Sequence, residues 1–296
     1  MTACAICPRE CPVDRSKIPG VCGMTDDITV AKAVLHFGEE PCLSGKNGSG
    51  AVFFTGCPLR CSYCQNAKIS RELFGAKVTA RALMRTFDAL IEQGAHNINL
   101  VSPTHFAPQL ADILRTYKSP VPVVYNSSGY EKVETLRLLE GLVDIYLPDM
   151  KYVDSSVAKK YSGAEDYFKF AARAVLEMNR QTGVLQRNKE GMAVRGLLVR
   201  HLILPGNVAQ TVKVLQWLRE NLPADTAVSL MSQYTPLGQA KNIAPLNRKI
   251  SLREYSKASD ALLTLGFVNG YIQEPGSAGT EYIPDFDLTG IQNGKD

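Results

Sequence analysis

The chain has no apolar run of 18 residues, which excludes a membrane-spanning helix. It has no polybasic block either. The net charge of +4 is spread along the chain, so nothing argues for nucleic acid, while an acidic small molecule stays compatible. Its first residues, MTACAICPRECPVDR, put cysteines and charges where a signal peptide needs an apolar segment, so the expected location is the cytoplasm. Tryptophan occurs once, and no cysteine follows Cys64. With 45% apolar and 21% charged residues, a mostly disordered chain is also ruled out. The 23 glycines and 16 prolines follow no collagen period and mark turns. At 296 residues there is length for one large domain or two small ones.

What is present is concentrated at one end. All eight cysteines lie at Cys4, Cys7, Cys11, Cys22, Cys42, Cys57, Cys61 and Cys64. Clustered cysteines in a reducing compartment point to metal rather than to disulfides. Cys57, Cys61 and Cys64 form a C-x3-C-x2-C triplet within Gly56-Cys57-Pro58-Leu59-Arg60-Cys61-Ser62-Tyr63-Cys64. Three thiolates on one tight loop can hold three corners of a 4Fe-4S cube and leave one iron open to an exogenous ligand. A tetrahedral zinc site would want a fourth ligand close by, and the loop offers none. The apolar stretch Ala51-Val52-Phe53-Phe54-Thr55 before the loop reads as a buried strand. The cluster is then expected at the C-terminal end of a first strand, where α/β barrels keep their chemistry.

The triplet, the strand before it and the aromatic residue before its last cysteine resemble radical S-adenosylmethionine (SAM) enzymes. More closely, the chain is similar to the branch of pyruvate formate-lyase activating enzyme homologues. Five stretches carry the resemblance, which covers nearly all of the chain: Cys4-Ala5-Ile6-Cys7-Pro8-Arg9-Glu10-Cys11, Gly38-Glu39-Glu40-Pro41, the triplet, Ser102-Pro103-Thr104-His105 and Leu204-Pro205-Gly206. It implies an α/β fold, an open (β/α)6 partial barrel, and an open-iron 4Fe-4S cluster with SAM as cofactors.

A second cysteine group, Cys4, Cys7, Cys11 and Cys22, could close a second 4Fe-4S cluster or a zinc site. Pro8, Pro12, Pro19 and Gly20 supply turns to wrap the chain around a metal, and Arg9 and Arg15 can offset thiolate charge. Cys42 could replace Cys22 as fourth ligand, bind a substrate or partner, or be a small buried residue.

Residues 1–45 read as a cysteine-rich cap, and residues 46–296 as the barrel with a C-terminal extension. Within the cap an extended piece is expected at 29–36. The Gly-rich stretch 44–50 reads as a flexible connection. Beyond it, strand patterns at 51–55, 97–101, 121–125, 143–147, 194–203 and 227–231 alternate with helical ones at 79–93, 106–117, 131–140, 166–182, 208–221 and 251–265. A further strand is possible at 267–272. This rhythm predicts a parallel sheet with right-handed crossovers. Trp217 is expected to pack its helix on the sheet.

The resemblance implies SAM-binding residues at successive strand ends. After the second strand, activating enzymes carry Gly-Gly-Glu-Pro; here Ser102 opens the loop, and Thr104 or His105 stands at or near the glutamate. After the third come Asn126 and Ser128. After the fourth, Asp149 and Lys151 resemble an Asp-x-Lys motif serving the ribose and the SAM carboxylate. Arg200 matches an arginine near SAM, with His201 pointing away on the strand's other face. Gln233 or Tyr234 falls close to a further position, and Tyr63 is placed against adenine. The tail, including 274–277 and 281–287, is expected to close the barrel bottom or to line the substrate mouth.

The chemistry so implied is reductive cleavage of SAM to a 5′-deoxyadenosyl radical that abstracts a hydrogen atom. Flavodoxin or ferredoxin is the implied electron donor. Three readings of the function stand: an activase making a glycyl radical on a protein partner, a radical enzyme acting on a small molecule, amino acid or peptide, and a non-catalytic iron–sulfur or zinc protein.

Overall fold

A computed structural model describes residues 3–279 and 283–292. Glu281 and Tyr282 of the tail motif lie outside the described residues. The chain enters through turns and then forms β1 (Thr29–His36), α1 (Pro41–Ser44) and β2 (Ser49–Phe54). After the triplet come α2 (Ala67–Ser70), β3 (Ala76–Lys77), α3 (Ala80–Glu92), β4 (Ile98–Val101) and α4 (Ala107–Thr116). Next are β5 (Val123–Ser127), α5 (Val133–Arg137), β6 (Ile145–Pro148), α6 (Ser155–Ser162), α7 (Tyr167–Thr182) and β7 (Gln186–Arg187). The last elements are β8 (Ala193–Leu202), α8 (Val208–Asn221), β9 (Ala227–Met231), α9 (Leu252–Thr264) and β10 (Gly270–Ile272).

Helices form where apolar residues recur at three and four positions. On α3, Leu83, Phe87 and Leu90 make the buried stripe, and the Thr79 side chain caps the first turn by accepting from Ala82 N. The box of Ser251 and Glu254 starts α9 in the same way. The pattern at 131–140 shortens to α5, because Glu131 is fully buried in a bond from Thr104 and stays outside the helix. No pattern marked α6: its buried stripe is only Ala158, Tyr161 and Ser162, and Gly163 stops it in the left-handed conformation. Trp217 packs edge-on against Phe168 of α7, so it joins two helices rather than helix and sheet.

The sheet runs β10-β9-β8-β6-β5-β4-β2-β1-β3, with β7 paired to β8. From β2 to β10 along that order every pairing is parallel, so a seventh parallel strand follows the expected six. The two ends of the order do not pair among the described residues, so the sheet is an open partial barrel. β1 runs antiparallel on β2, which places the second half of the N-terminal 45 residues in the main sheet. The tail returns to the same side: Ala33 N donates to Thr289 O at 2.9 Å and Leu288 N to Ala31 O at 3.0 Å. No helix among the described residues is long and apolar enough to cross a membrane.

The expected flexible connection at 44–50 is an ordered turn. Gly48 N donates to Ser44 O at 2.7 Å, and the Ser49 hydroxyl donates to Asn97 Oδ1 at 2.6 Å.

Candidate active site

Strand register assembles the site. Phe53 lies opposite Val101 and Val101 opposite Asn126, Asp149 bridges to Arg200, and Arg200 lies opposite Ser229. The parallel strands therefore end around one cavity of about 620 Å3. Such a volume suits small-molecule sites, which span about 300–1,000 Å3.

Cys57, Cys61 and Cys64 all line this cavity. Burial pushes the Cys57 thiol up to about 12, with Cys61 and Cys64 adding to the rise. Only a bound cation would hold such thiols ionised near neutral pH. A zinc ion takes four ligands, whereas a 4Fe-4S cube with one open iron takes three thiolates, the number this loop supplies.

Cys61 is supported from behind. Its Sγ lies 3.0 Å from the Ser162 hydroxyl, which lies 3.0 Å from the Tyr152 hydroxyl, and Tyr152 in turn donates to the Tyr63 hydroxyl at 2.5 Å. Tyr63 is buried with its ring edge-on to those of Tyr152, Tyr161 and Tyr234, and it lines the cavity.

Of the residues expected around SAM, the cavity gathers Tyr63, Ser102, Asn126, Ser128, Asp149, Lys151, Arg200, Gln233 and Tyr234. The buried hydroxyl of Ser128 and the Oδ1 of Asn66 have no protein partner and stand on the cavity wall. Buried polar atoms need partners, so these two together with the three thiols fit a polar cofactor beside a cluster. Asp149 and Lys151 pair with one another at 2.5 Å. Gly129, at φ 75°, lets the chain pass Asp149 O, which a Cβ would approach to 2.3 Å. Gln233 accepts from Gln273 Nε2 at 2.8 Å, and Tyr234 spends its hydroxyl on Leu246 O at 2.6 Å.

Thr104 and His105 are not in the cavity wall. Ser102 takes φ 59° at the end of β4, and the chain then turns away into a 3-10 turn, Thr104–Phe106. Thr104 bonds Glu131 at 2.5 Å, and His105 Nε2 donates to Thr55 O at 2.7 Å, fully buried. Both residues brace the loop instead of holding SAM. His201 does point away, as expected: Nδ1 donates to Met150 O at 2.6 Å and Nε2 accepts from Thr211 at 2.9 Å.

Burial lowers His201 to about 4 and His105 to about 3, against 6.5 for a free imidazole. The unfolded chain therefore binds more protons over this range, and stability is present above pH 6.5 and lost as pH falls through 4. For His201 alone the loss is on the order of 3 kcal/mol. The urea midpoint is expected to fall below pH 6.5, less steeply in His201→Gln. Equal pH slopes in the two proteins would contradict this.

The sequence reading quoted Glu39 and Glu40 for the resemblance but gave them no role in the site. They follow β1 and reach Arg200, whose Nε donates to Glu40 Oε1 at 2.8 Å and whose Nη2 donates to Glu40 Oε2 at 2.5 Å and also to Glu39. Asn99 Nδ2 donates to Glu39 at 2.8 Å. The side chains of Arg200, Glu39 and Glu40 are 12%, 7% and 5% exposed, a buried ionic cluster in the cavity wall. Adjacent acids before Pro41 were the available signal. Cys42 is packed with Leu43, Val124 and Ile145, apart from both cysteine groups.

An open, mostly parallel α/β sheet carries three thiols at the end of its first parallel strand. The family model of the Radical SAM superfamily matches residues 51–184, and this part of the chain is a radical SAM domain. An uncharacterized protein of Methanocaldococcus jannaschii is 29% identical over 267 residues, covering 86% of this chain and 72% of that protein. Streptococcus suis SuiB bound to SAM superposes with a TM-score of 0.51 at 12% identity, over 74% of this chain and 48% of SuiB. SuiB bound to its precursor peptide SuiA gives 0.50 at 13% identity, over 74% of this chain and 46% of SuiB. The chain thus spans just under half the length of SuiB, and this likeness is one of fold.

Proposed function

We propose that this protein is a radical SAM enzyme that abstracts a hydrogen atom from a substrate held beside SAM in the cavity. The observation that carries the reading is the convergence of Cys57, Cys61 and Cys64 with Asn126, Ser128, Asp149 and Lys151 on one space. A 4Fe-4S cluster held by Cys57, Cys61 and Cys64 beside SAM would supply one-electron reductive cleavage of SAM and the radical needed for hydrogen abstraction. The chain's own share is placement. The three cysteines bind the cluster, and Tyr63 and Tyr234 offer ring faces to the adenine. The Asp149 carboxylate is placed for ribose hydroxyls, and Lys151 for a carboxylate. Ser128 has a hydroxyl free to bond the ligand. The buried aromatic wall excludes water from a reactive radical.

On this reading the substrate is a small molecule, an amino acid or an extended peptide. The cavity wall includes Phe37 to Pro41 after β1, and Gln273, Ser277 and Pro284 of the tail, beyond the parallel strands themselves. Those segments narrow the space available to a folded partner. An activase of a glycyl radical enzyme is the second reading, carried by the sequence resemblance, and it predicts a glycyl radical signal on the partner protein. The cysteines at 4, 7, 11 and 22 hold a second metal centre, the electron donor is a flavodoxin or ferredoxin, and the compartment is the reducing cytoplasm. The test is anaerobic reconstitution, addition of SAM and dithionite, and assay for 5′-deoxyadenosine. Formation of the nucleoside is expected; a fully loaded, reduced protein that leaves SAM intact would leave only a metal-binding protein.

A further inference from the structure

The N-terminal cysteine loop sits directly behind the triplet. Cys57 N donates to Cys22 O at 3.2 Å, so one hydrogen bond joins a residue of each group. Gly56, at φ 90°, makes the approach possible, since a Cβ there would stand 2.8 Å from Cys22 O and 2.3 Å from Met24. Arg9 ties the same faces together: Nε donates to Pro58 O at 2.8 Å, Nη1 to Gly163 O at 2.6 Å and Nη2 to Ser162 O at 3.0 Å. Arg15, buried, donates to Met24 O at 3.1 Å and to His105 O at 2.6 Å.

Within the loop the thiols of Cys11 and Cys22 are neighbours. Cys4 N donates to Cys11 O at 2.9 Å. A Cβ on Gly20 would lie 3.3 Å from Cys11 Sγ and 3.7 Å from Cys22 Sγ, and Val21 N donates to Cys11 Sγ at 3.3 Å. Burial pushes the Cys7 thiol up to about 12, with Cys22 and Cys11 adding to the rise. Cys7, Cys11 and Cys22 are buried and Cys4 reaches the surface.

We propose that Cys4, Cys7, Cys11 and Cys22 bind a second 4Fe-4S cluster that relays electrons to the cluster on Cys57, Cys61 and Cys64. This rests on the radical SAM reading above. A zinc staple is the competing occupant, and the fold gives it little to do. Cys22, Met24 and Ile28 are already in the core with Phe54 and Phe106, and the two arginines bolt the loop down through backbone carbonyls. Arg15, whose charge acts on Cys22, offsets the negative charge of a four-thiolate cluster, and the Val21 N–H bonded to Cys11 Sγ is the kind of contact that tunes its potential. One electron passes from a low-potential carrier to the outer cluster at the Cys4 side, reducing it from the 2+ to the 1+ state. It then passes inward and reduces the inner cluster likewise, while the outer one returns to 2+. No proton or group moves.

The full chain is reconstituted anaerobically with iron and sulfide in the presence of zinc, together with Cys57→Ala/Cys61→Ala/Cys64→Ala and Cys7→Ser/Cys11→Ser. The wild type is expected to hold about eight irons, and each variant about four with a reduced-cluster electron paramagnetic resonance signal. Inner-cluster reduction by reduced flavodoxin, followed by freeze-quench resonance, is expected to slow about tenfold or more in the Cys7/Cys11 variant. One zinc and no iron in the triple variant overturns the proposal, and so does an unslowed reduction. If the wild type holds about four irons, all lost in the triple variant, the second cluster fails while the radical SAM reading stands. If the four irons survive in the triple variant but not in the other, the inner site, and with it that reading, fails.

Discussion

Replacing any one of Cys57, Cys61 and Cys64 with alanine is expected to lower 5′-deoxyadenosine formation by about a thousandfold or more, ~4 kcal/mol of barrier. The effect is large because each thiolate holds its own iron, and the loop has no spare ligand. Cys42, the remaining cysteine near the barrel interior, is packed among Leu43, Val124 and Ile145. Cys42→Ala is therefore expected to keep the rate within about twofold, at a stability cost of roughly 1 kcal/mol. Anaerobic chromatography of the nucleoside, beside an iron count for each variant, reads both effects. A triplet variant that keeps its iron and its rate would remove the site from Cys57–Cys64 altogether.

Arg200→Met is expected to destabilise the protein by about 3–5 kcal/mol, because it leaves two buried carboxylates without their cation. Burial disfavours the charged form of Glu40, and Arg200 nevertheless holds its carboxyl below the usual range. Arg200→Lys is expected to recover only part of the loss, since a lysine cannot match the two-point bond to Glu40. In an Arg200→Met/Glu40→Gln background the penalty is expected to shrink, and a double-mutant cycle in urea measures the coupling. If Arg200→Met unfolds like the wild type but loses SAM affinity, the arginine serves the cofactor directly and the ionic cluster has no structural role.

The strand and helix rhythm was open to sequence reading because it depends on spacing within short segments. β1 matches its expected bounds, 29–36, the six expected parallel strands lie within two residues of theirs, and β10 starts three residues later than expected. The triplet was legible for the same reason: its three ligands lie within eight residues, after a strand that reads as buried. Asp149 and Lys151 stand at a strand end, where two residues of spacing put both on the cavity side. α6 was missed because a stripe of one alanine, one tyrosine and one serine is too weak a pattern.

By itself, then, the sequence determined a cysteine loop at the end of a first parallel strand and an alternating α/β chain to follow it. Only the tertiary structure decided which side chains face the cavity. Thr104 and His105 turn out of it because Ser102 adopts a left-handed conformation that no spacing announces. Glu39 and Glu40 turn into it and claim Arg200 from 160 positions away. Cys22 meets Cys57 across a gap that only a glycine at position 56 leaves open. Periodicity is a property of neighbours along the chain, whereas these pairings are made by strand register and packing, which bring distant residues together only once the sheet has formed.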